Sequence, residues 1–355
     1  MVPHVLAAPL VGGVADAARR RRAFYLAAFL AYAALLVTAA LLIGRLTVVA
    51  AVALLAAGCA APLLIGGLTS LLGELAGDRL ERAFGLDVTT YSMAGIAGPA
   101  LAAVLAAALG ASWSVVALSA LAVAGGVLVA SLPIRSRAAA TDRVHRADPL
   151  AALRVMRRDR ELGAVTAGSV FKEIGAGALP VIAALLAARV GDTAYTGLVL
   201  SVAAAGGLAG SLLTTAFPIR RRSPVAVVLL CVTGIAAAFL LVAAVPGLAG
   251  VAPAGWPALA LFAVAGGLGA PLVVAVFSVR DRAAPPHLRT QVFTLGAGLK
   301  VTGAALGAAV AGLAAPAGVT ALLLGVAGCQ VLALLATAVV ARVTPARRRV
   351  ESIVS

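Results

Sequence analysis

Apolar residues run along this chain in long blocks, interrupted at intervals by short polar clusters. Ten blocks are long enough to cross a bilayer as helices: 23–43, 47–72, 91–111, 113–133, 163–188, 195–217, 224–245, 257–279, 291–315 and 317–341. A hydrocarbon core about 30 Å thick takes about 20 residues in helical form. Helix is the expected state because a segment in lipid finds no water for its backbone N–H and C=O groups. Pro62, Pro99, Pro180 and Pro271 fall inside blocks, but membrane helices tolerate such breakers. Residues 1–15 are apolar, too short to span, and lack the basic start of a signal peptide. They read as the last half of a helix.

Composition sharpens this. The 355 residues are 63% hydrophobic and 12% charged, against about 25% charged in an ordinary soluble domain. Lipid is therefore the expected solvent. The net charge of +15 fits either nucleic-acid binding or the sidedness of membrane loops, and the distribution separates the two. With 16–22 on the cytoplasmic side, 24 arginines fall in loops or tails of that side, and only Arg45 and Arg189 fall opposite. This is the positive-inside pattern. It removes nucleic acid as a partner and places a multi-pass protein in the cell (inner or plasma) membrane, with the C-terminus cytoplasmic.

Cys59, Cys231 and Cys329 sit in apolar runs with no CxxC and no His-rich segment. They read as packing residues, without disulfide or metal site. His145 and His287 lie in cytoplasmic loops, and His4 lies in the first apolar stretch. No Walker loop, GxSxG, HExxH or dinucleotide fingerprint occurs. The expectation is a protein that is not an enzyme and carries no cofactor, with room left for a coupling proton.

The blocks repeat weakly. Ala56–Leu63 (AAGCAAPL) resembles Ala265–Leu272 (AGGLGAPL), Ala94-Gly95 resembles Ala297-Gly298, and Arg20–Arg22 resembles Arg220–Arg222. The order is shared and the offsets are similar, as internal repeats of transporters require. The basic segment 134–162 divides 1–133 from 163–342, with a tail at 343–355. The second part holds six blocks. The first holds four and the short stretch, so one whole helix and the start of the next are expected to be missing before Met1.

The segment Gly12-Gly13-Val14-Ala15-Asp16-Ala17-Ala18-Arg19-Arg20-Arg21 resembles the loop after the second helix of the major facilitator superfamily. Gly12, Ala15, Asp16, Arg20 and Arg21 fit; Val14, Ala17 and Arg19 depart. Gly95-Ile96-Ala97-Gly98-Pro99 is similar to the Gly-Pro motif of that family's fifth helix, often found in exporters. Leu54 stands where the fourth helix of drug/proton carriers has an Arg. The resemblance implies an all-α, two-bundle membrane fold with ten full spans and a partial one. It implies a gate in which Asp16 meets the helix starting near Thr290 and Arg20 and Arg21 pair with acids on nearby loops. It also implies a packing role for Gly95, Gly98 and Pro99.

Within the spans only Lys172, Glu173 and Lys300 are charged. A charge at mid-membrane costs at least about 2.5 kcal/mol on insertion scales, so it is expected to be paired or to face a water-filled cavity. Lys172 and Glu173 are adjacent and point about 100° apart, so they are not expected to share a face; Glu173 and Lys300 are expected to face each other or a substrate. A structural pair with Lys172 snorkelling is the other reading. The expected function is secondary transport of a small solute across a lipid bilayer, in the efflux direction. Uptake of a polar or anionic metabolite, and a transport-inactive truncated membrane protein, are the alternatives.

Overall fold

The computed structural model describes residues 2–134, 148, 150–217, 223–244 and 256–343, with side chains from residue 7 onward except those of Pro99, Ala111 and Val343. His145, Pro149, Arg220–Arg222 and the tail 344–355 lie outside the described residues. Among those described there is no strand, and ten helices are long and apolar enough to cross a membrane.

In chain order the helices are α1 (Val2–Ala17), α2 (Arg21–Leu42), α3 (Thr47–Pro62), α4 (Leu68–Leu75), α5 (Leu80–Leu109), α6 (Ala111–Ser131), α7 (Ala151–Arg158), α8 (Arg160–Gly177), α9 (Leu179–Val190), α10 (Ala194–Ala216), α11 (Pro224–Ala244), α12 (Trp256–Ala283), α13 (Arg289–Ala314) and α14 (Val319–Val343). All ten expected blocks appear as helix. The stretch at the start is also helical, as α1.

Two blocks are broken in ways that composition did not reveal. After Pro62, residues Leu63–Gly67 form a π-turn that joins α3 to α4. The expected span 163–188 is two helices meeting at Ala178, with Pro180 in the first turn of α9. Proline has no N–H to give the preceding turn, so a helix restarts there readily. The repeat partner of Pro62, Pro271, lies inside the continuous α12. The basic segment 134–162 contains α7 and the start of α8, separated by Asp159, whose carboxylate accepts from the Leu162 amide at 2.9 Å and caps α8.

The repeat is visible in two turns. Gly110, with φ 99°, separates α5 from α6, and Gly318, with φ 86°, precedes α14. Both take left-handed backbone that favours glycine, and they stand 208 positions apart, close to the offset of the sequence matches.

Two compact units emerge. The first contains Met1–Ala152, Ser211–Pro218 and Ala284–Ala305; the second contains Leu153–Gly210, Ile219–Ala283 and Leu306–Ser355. In the first unit α2 lies between α3 and α6, and α1 rests on α3. Its core joins Tyr25, Leu63, Leu71 and Val129. The Tyr25 hydroxyl, buried, donates to the Gly67 carbonyl at 3.0 Å. In the second unit α8 lies along α14, and α11 packs on both α12 and α14. Ile182, Leu186, Phe239, Phe262 and Leu323 fill its core, with Phe239 and Phe262 edge to face at 5.8 Å. Here α10 and α12 cross with almost no side chain between them. A Cβ on Gly206 or Gly210 would run into the backbone of Ala263 or Gly267, and one on Gly266 into that of Ala203. Small residues at such crossings are how membrane helices gain packing contact without a hydrophobic drive between them.

Candidate functional site

The first cluster of interest is built on α1 and the start of α13, both in the first unit. Asp16 is buried near the end of α1. Its Oδ1 accepts from the Thr290 amide at 3.2 Å and its Oδ2 from the Gln291 amide at 2.9 Å. These amides belong to the first turn of α13, where N–H groups have no partner within the helix. A carboxylate there meets the positive end of the helix dipole, worth up to about 2 kcal/mol when partly buried. This is the contact that the sequence resemblance implied.

Neighbouring bonds hold the same junction. Gln291 Nε2 donates to the carbonyls of Pro9 at 3.0 Å and Asp148 at 2.8 Å. Thr294 Oγ1 donates to the Ala8 carbonyl at 3.0 Å. Gly12 lets the two helices come this close, for a Cβ there would strike Thr294 Oγ1 and lie 2.7 Å from Gln291 Cα. Nothing in the sequence singled out Gln291 or Thr294, because polar residues at a helix start look like ordinary solvated ones.

Beside this junction, Arg21 Nη1 reaches both carboxylate oxygens of Glu74 on α4, at 2.8 and 2.7 Å. Arg21 is 2% exposed and Glu74 35%. Arg20, by contrast, is exposed and pairs with no acid among the described residues. Arg22 donates from Nε to the Ile134 carbonyl at 3.2 Å.

The second cluster lies about 18 Å along α8 from its start at Arg160. There Lys172 Nζ and Glu173 Oε1 form an ion pair at 3.2 Å, each 16% exposed. This corrects the expectation that adjacent positions cannot meet. The Cβ atoms do diverge by about 100°, but the long flexible lysine stem carries its ammonium back round the helix. Gly269 of α12 faces the pair: a Cβ there would lie 3.9 Å from Lys172 Nζ. Lys300 sits in the first unit, part-buried, about 16 Å along α13 from Arg289.

Gly95 and Gly98 are exposed on α5, and within their unit no atom lies within 4 Å of where either Cβ would stand. The packing role expected of these two glycines is therefore not met there. Arg280, expected in a loop, lies in α12; it is 1% exposed, and its Nε and Nη2 meet no partner among the described residues. Asp87, also expected in a loop, lies in α5, where it accepts from Thr69 Oγ1 at 2.7 Å. No group of three or more His, Cys, Asp or Glu that could hold a metal occurs among the described residues.

The sequence profile of the Major Facilitator Superfamily matches residues 1–308. The chain belongs to the Major Facilitator Superfamily. Its members are membrane transporters, which makes transport across a membrane the coarse function of this one.

Solved structures share the superfamily fold. The human organic anion transporter MFSD10 superimposes with a TM-score of 0.75 at 19% identity, covering 95% of this chain and 81% of that one. A bacterial homologue of the iron transporter ferroportin, in its outward-facing state, gives 0.70 at 15% identity, covering 96% and 88%. The Escherichia coli fucose:proton symporter FucP gives 0.65 at 16%, covering 94% and 87%. At these identities the likeness establishes the fold. No curated protein sequence matches the chain.

Proposed function

We propose that this superfamily member is a secondary transporter that exports a small solute from the cell by alternating access of two helical halves, 1–133 and 163–342, with the C-terminus cytoplasmic. The observation that supports a solute site most directly is the Lys172–Glu173 pair halfway along a spanning helix. Charges at that depth are rare and mark substrate or ion paths. Gly269 leaves the ammonium an open side on α12. Lys300, about 16 Å along α13 from its start, is the third charge that the sequence places inside a span.

The junction of Asp16 with α13 and the Arg21–Glu74 pair serve, in this reading, as the cytoplasmic gate. Contacts made in one conformer and broken in the other bias the equilibrium between them. The export direction rests on the similarity of Gly95–Pro99 to exporter motifs. Two lysines against one glutamate leave a surplus positive charge, which favours an anionic solute as the second reading. MFSD10, an organic anion transporter, has this fold.

Proteoliposomes loaded with a panel of organic anions, neutral sugars and cationic drugs provide the test. Counterflow by the wild type, lost in Glu173→Gln and Lys300→Ala variants that fold normally, is the expected result. Wild-type rates in both variants would remove the site.

A further inference from the structure

Four oxygens, from α4, α5 and the π-turn, converge beside α5. Thr69 Oγ1 lies 2.7 Å from Asp87 Oδ2, 2.7 Å from the Tyr91 hydroxyl and 3.1 Å from the Ile65 carbonyl. The Tyr91 hydroxyl is also within 3.2 Å of that carbonyl. Thr69 is 1% exposed. Ile65 belongs to the π-turn Leu63–Gly67, and π-turns inside helices are frequent at functional sites.

The depth of the cluster follows from helix length. The candidate span Gly77–Leu109 has 33 residues, about 50 Å of helix, more than a 30 Å core takes up. Counting back about 20 residues from Leu109 reaches Thr89 or Thr90. Asp87 therefore stands at the edge of the hydrocarbon, half-buried and within reach of one aqueous face.

No cation offsets this carboxylate among the described residues. Of the elements that pack on α5, α6 and the segment 211–217 carry no charged residue, and Asp78, Arg79, Glu81 and Arg82, at and just before the start of α5, stand more than a helical turn from Asp87 along the chain. On α4 the one charge is Glu74, paired with Arg21. α13 meets α5 where Phe84 faces Phe293, and neither its Arg289 nor its Lys300 pairs with Asp87. The titratable group that faces Asp87 is Tyr91.

Counting hydrogens shows what the cluster can do. With Asp87 ionised, Tyr91 donates to Thr69 and Thr69 donates to Asp87. With Asp87 protonated, the chain reverses: Asp87 donates to Thr69, Thr69 to Tyr91, and Tyr91 to the Ile65 carbonyl. Every hydroxyl hydrogen finds an acceptor in both states, and the heavy atoms stay where they are. A hydroxyl both donates and accepts, which is what makes the reversal possible. A metal cation fits poorly. Of the four oxygens only that of Asp87 carries charge, and an ion would have to displace the hydroxyl hydrogens that lie between them.

We propose that Asp87, with Thr69, Tyr91 and the Ile65 carbonyl, is a binding site for one proton on this transporter, loaded from one membrane face. It rests on the transport reading only for its use, since binding itself is measurable without a solute.

The test is an infrared titration of the full chain in lipid nanodiscs, from about pH 4 to about pH 9, with no solute added. The expected result is a protonated-carboxyl band that disappears as pH rises and is absent from Asp87→Asn. Thr69→Val, which removes the hydroxyl in the middle of the chain, should move the midpoint by about one pH unit, the size of one hydrogen bond to a charged group. Thr69→Ser should restore it. Where Asp87→Asn fails to fold, the Val and Ser pair carries the test. A band unchanged in Asp87→Asn, a midpoint indifferent to Thr69→Val, or loss of the band on exchanging K⁺ for Na⁺ at fixed pH would each overturn the proposal. A failed solute assay would leave this result standing, and a failed titration would leave the solute site standing.

Discussion

Asp16 and Gln291 lie 275 positions apart and meet at 2.9 Å, the carboxylate of one accepting from the backbone amide of the other. Because the donors are main-chain groups, no substitution at Thr290 or Gln291 short of proline removes them. Changing Asp16 is the direct way to open the contact. Asp16→Asn keeps the shape and removes the charge. It should lower the stability of this junction by about 1–2 kcal/mol, read as a lower thermal midpoint in detergent. An unchanged midpoint would mean that the contact contributes nothing net.

Gly12 offers a steric test of the same junction. Gly12→Ala should destabilise, because Gln291 Cα is backbone and cannot swing aside. Gly98→Ala is the control. Nothing stands near its Cβ position within the unit, and alanine is the better helix former by about 1 kcal/mol. The first variant should unfold at a lower temperature than the wild type, and the second at the same or a higher one. If Gly98→Ala also loses transport, the glycine serves motion rather than packing.

Glu74 answers a buried guanidinium. Removing it as Glu74→Ala leaves Arg21, 2% exposed, without its counter-ion, at a cost of about 3–5 kcal/mol. The double variant Arg21→Met, Glu74→Ala should recover much of that loss, since no charge is then stranded. A double variant as unstable as the single one would show that the arginine stem, and not its charge, matters.

Gly269 separates the pair on α8 from the face of α12. Gly269→Val puts methyl groups where Lys172 Nζ now has open room. Solute counterflow should fall at least about tenfold, equivalent to about 1.4 kcal/mol, with little change in thermal midpoint. Unchanged counterflow would place the solute path elsewhere.

The helices were legible in the sequence because lipid imposes one rule on every spanning segment, and block lengths report it directly. Asp16 was legible too, as part of a motif with a known loop position. What stayed hidden depended on geometry within a turn. Pro62 and Pro271 occupy matching positions in a repeat, yet one opens a π-turn and the other sits in unbroken helix. Asp87 read as a loop residue because apolar blocks mark the part of a helix that lies in lipid, and α5 runs on well beyond it. The Lys172–Glu173 contact was missed by reasoning from Cβ directions alone, which neglects how far a lysine reaches.

The near-contact of main chains at Gly206, Gly210 and Gly266 limits how α10 and α12 can move. A side chain at these three positions would meet the facing main chain, and separating the helices there would open a slot lined by glycine and alanine. The pair therefore travels as one stiff plank. Bending within this unit must be found at a break such as Ala178, ahead of Pro180, and a cross-link between α10 and α12 should leave the transport cycle running.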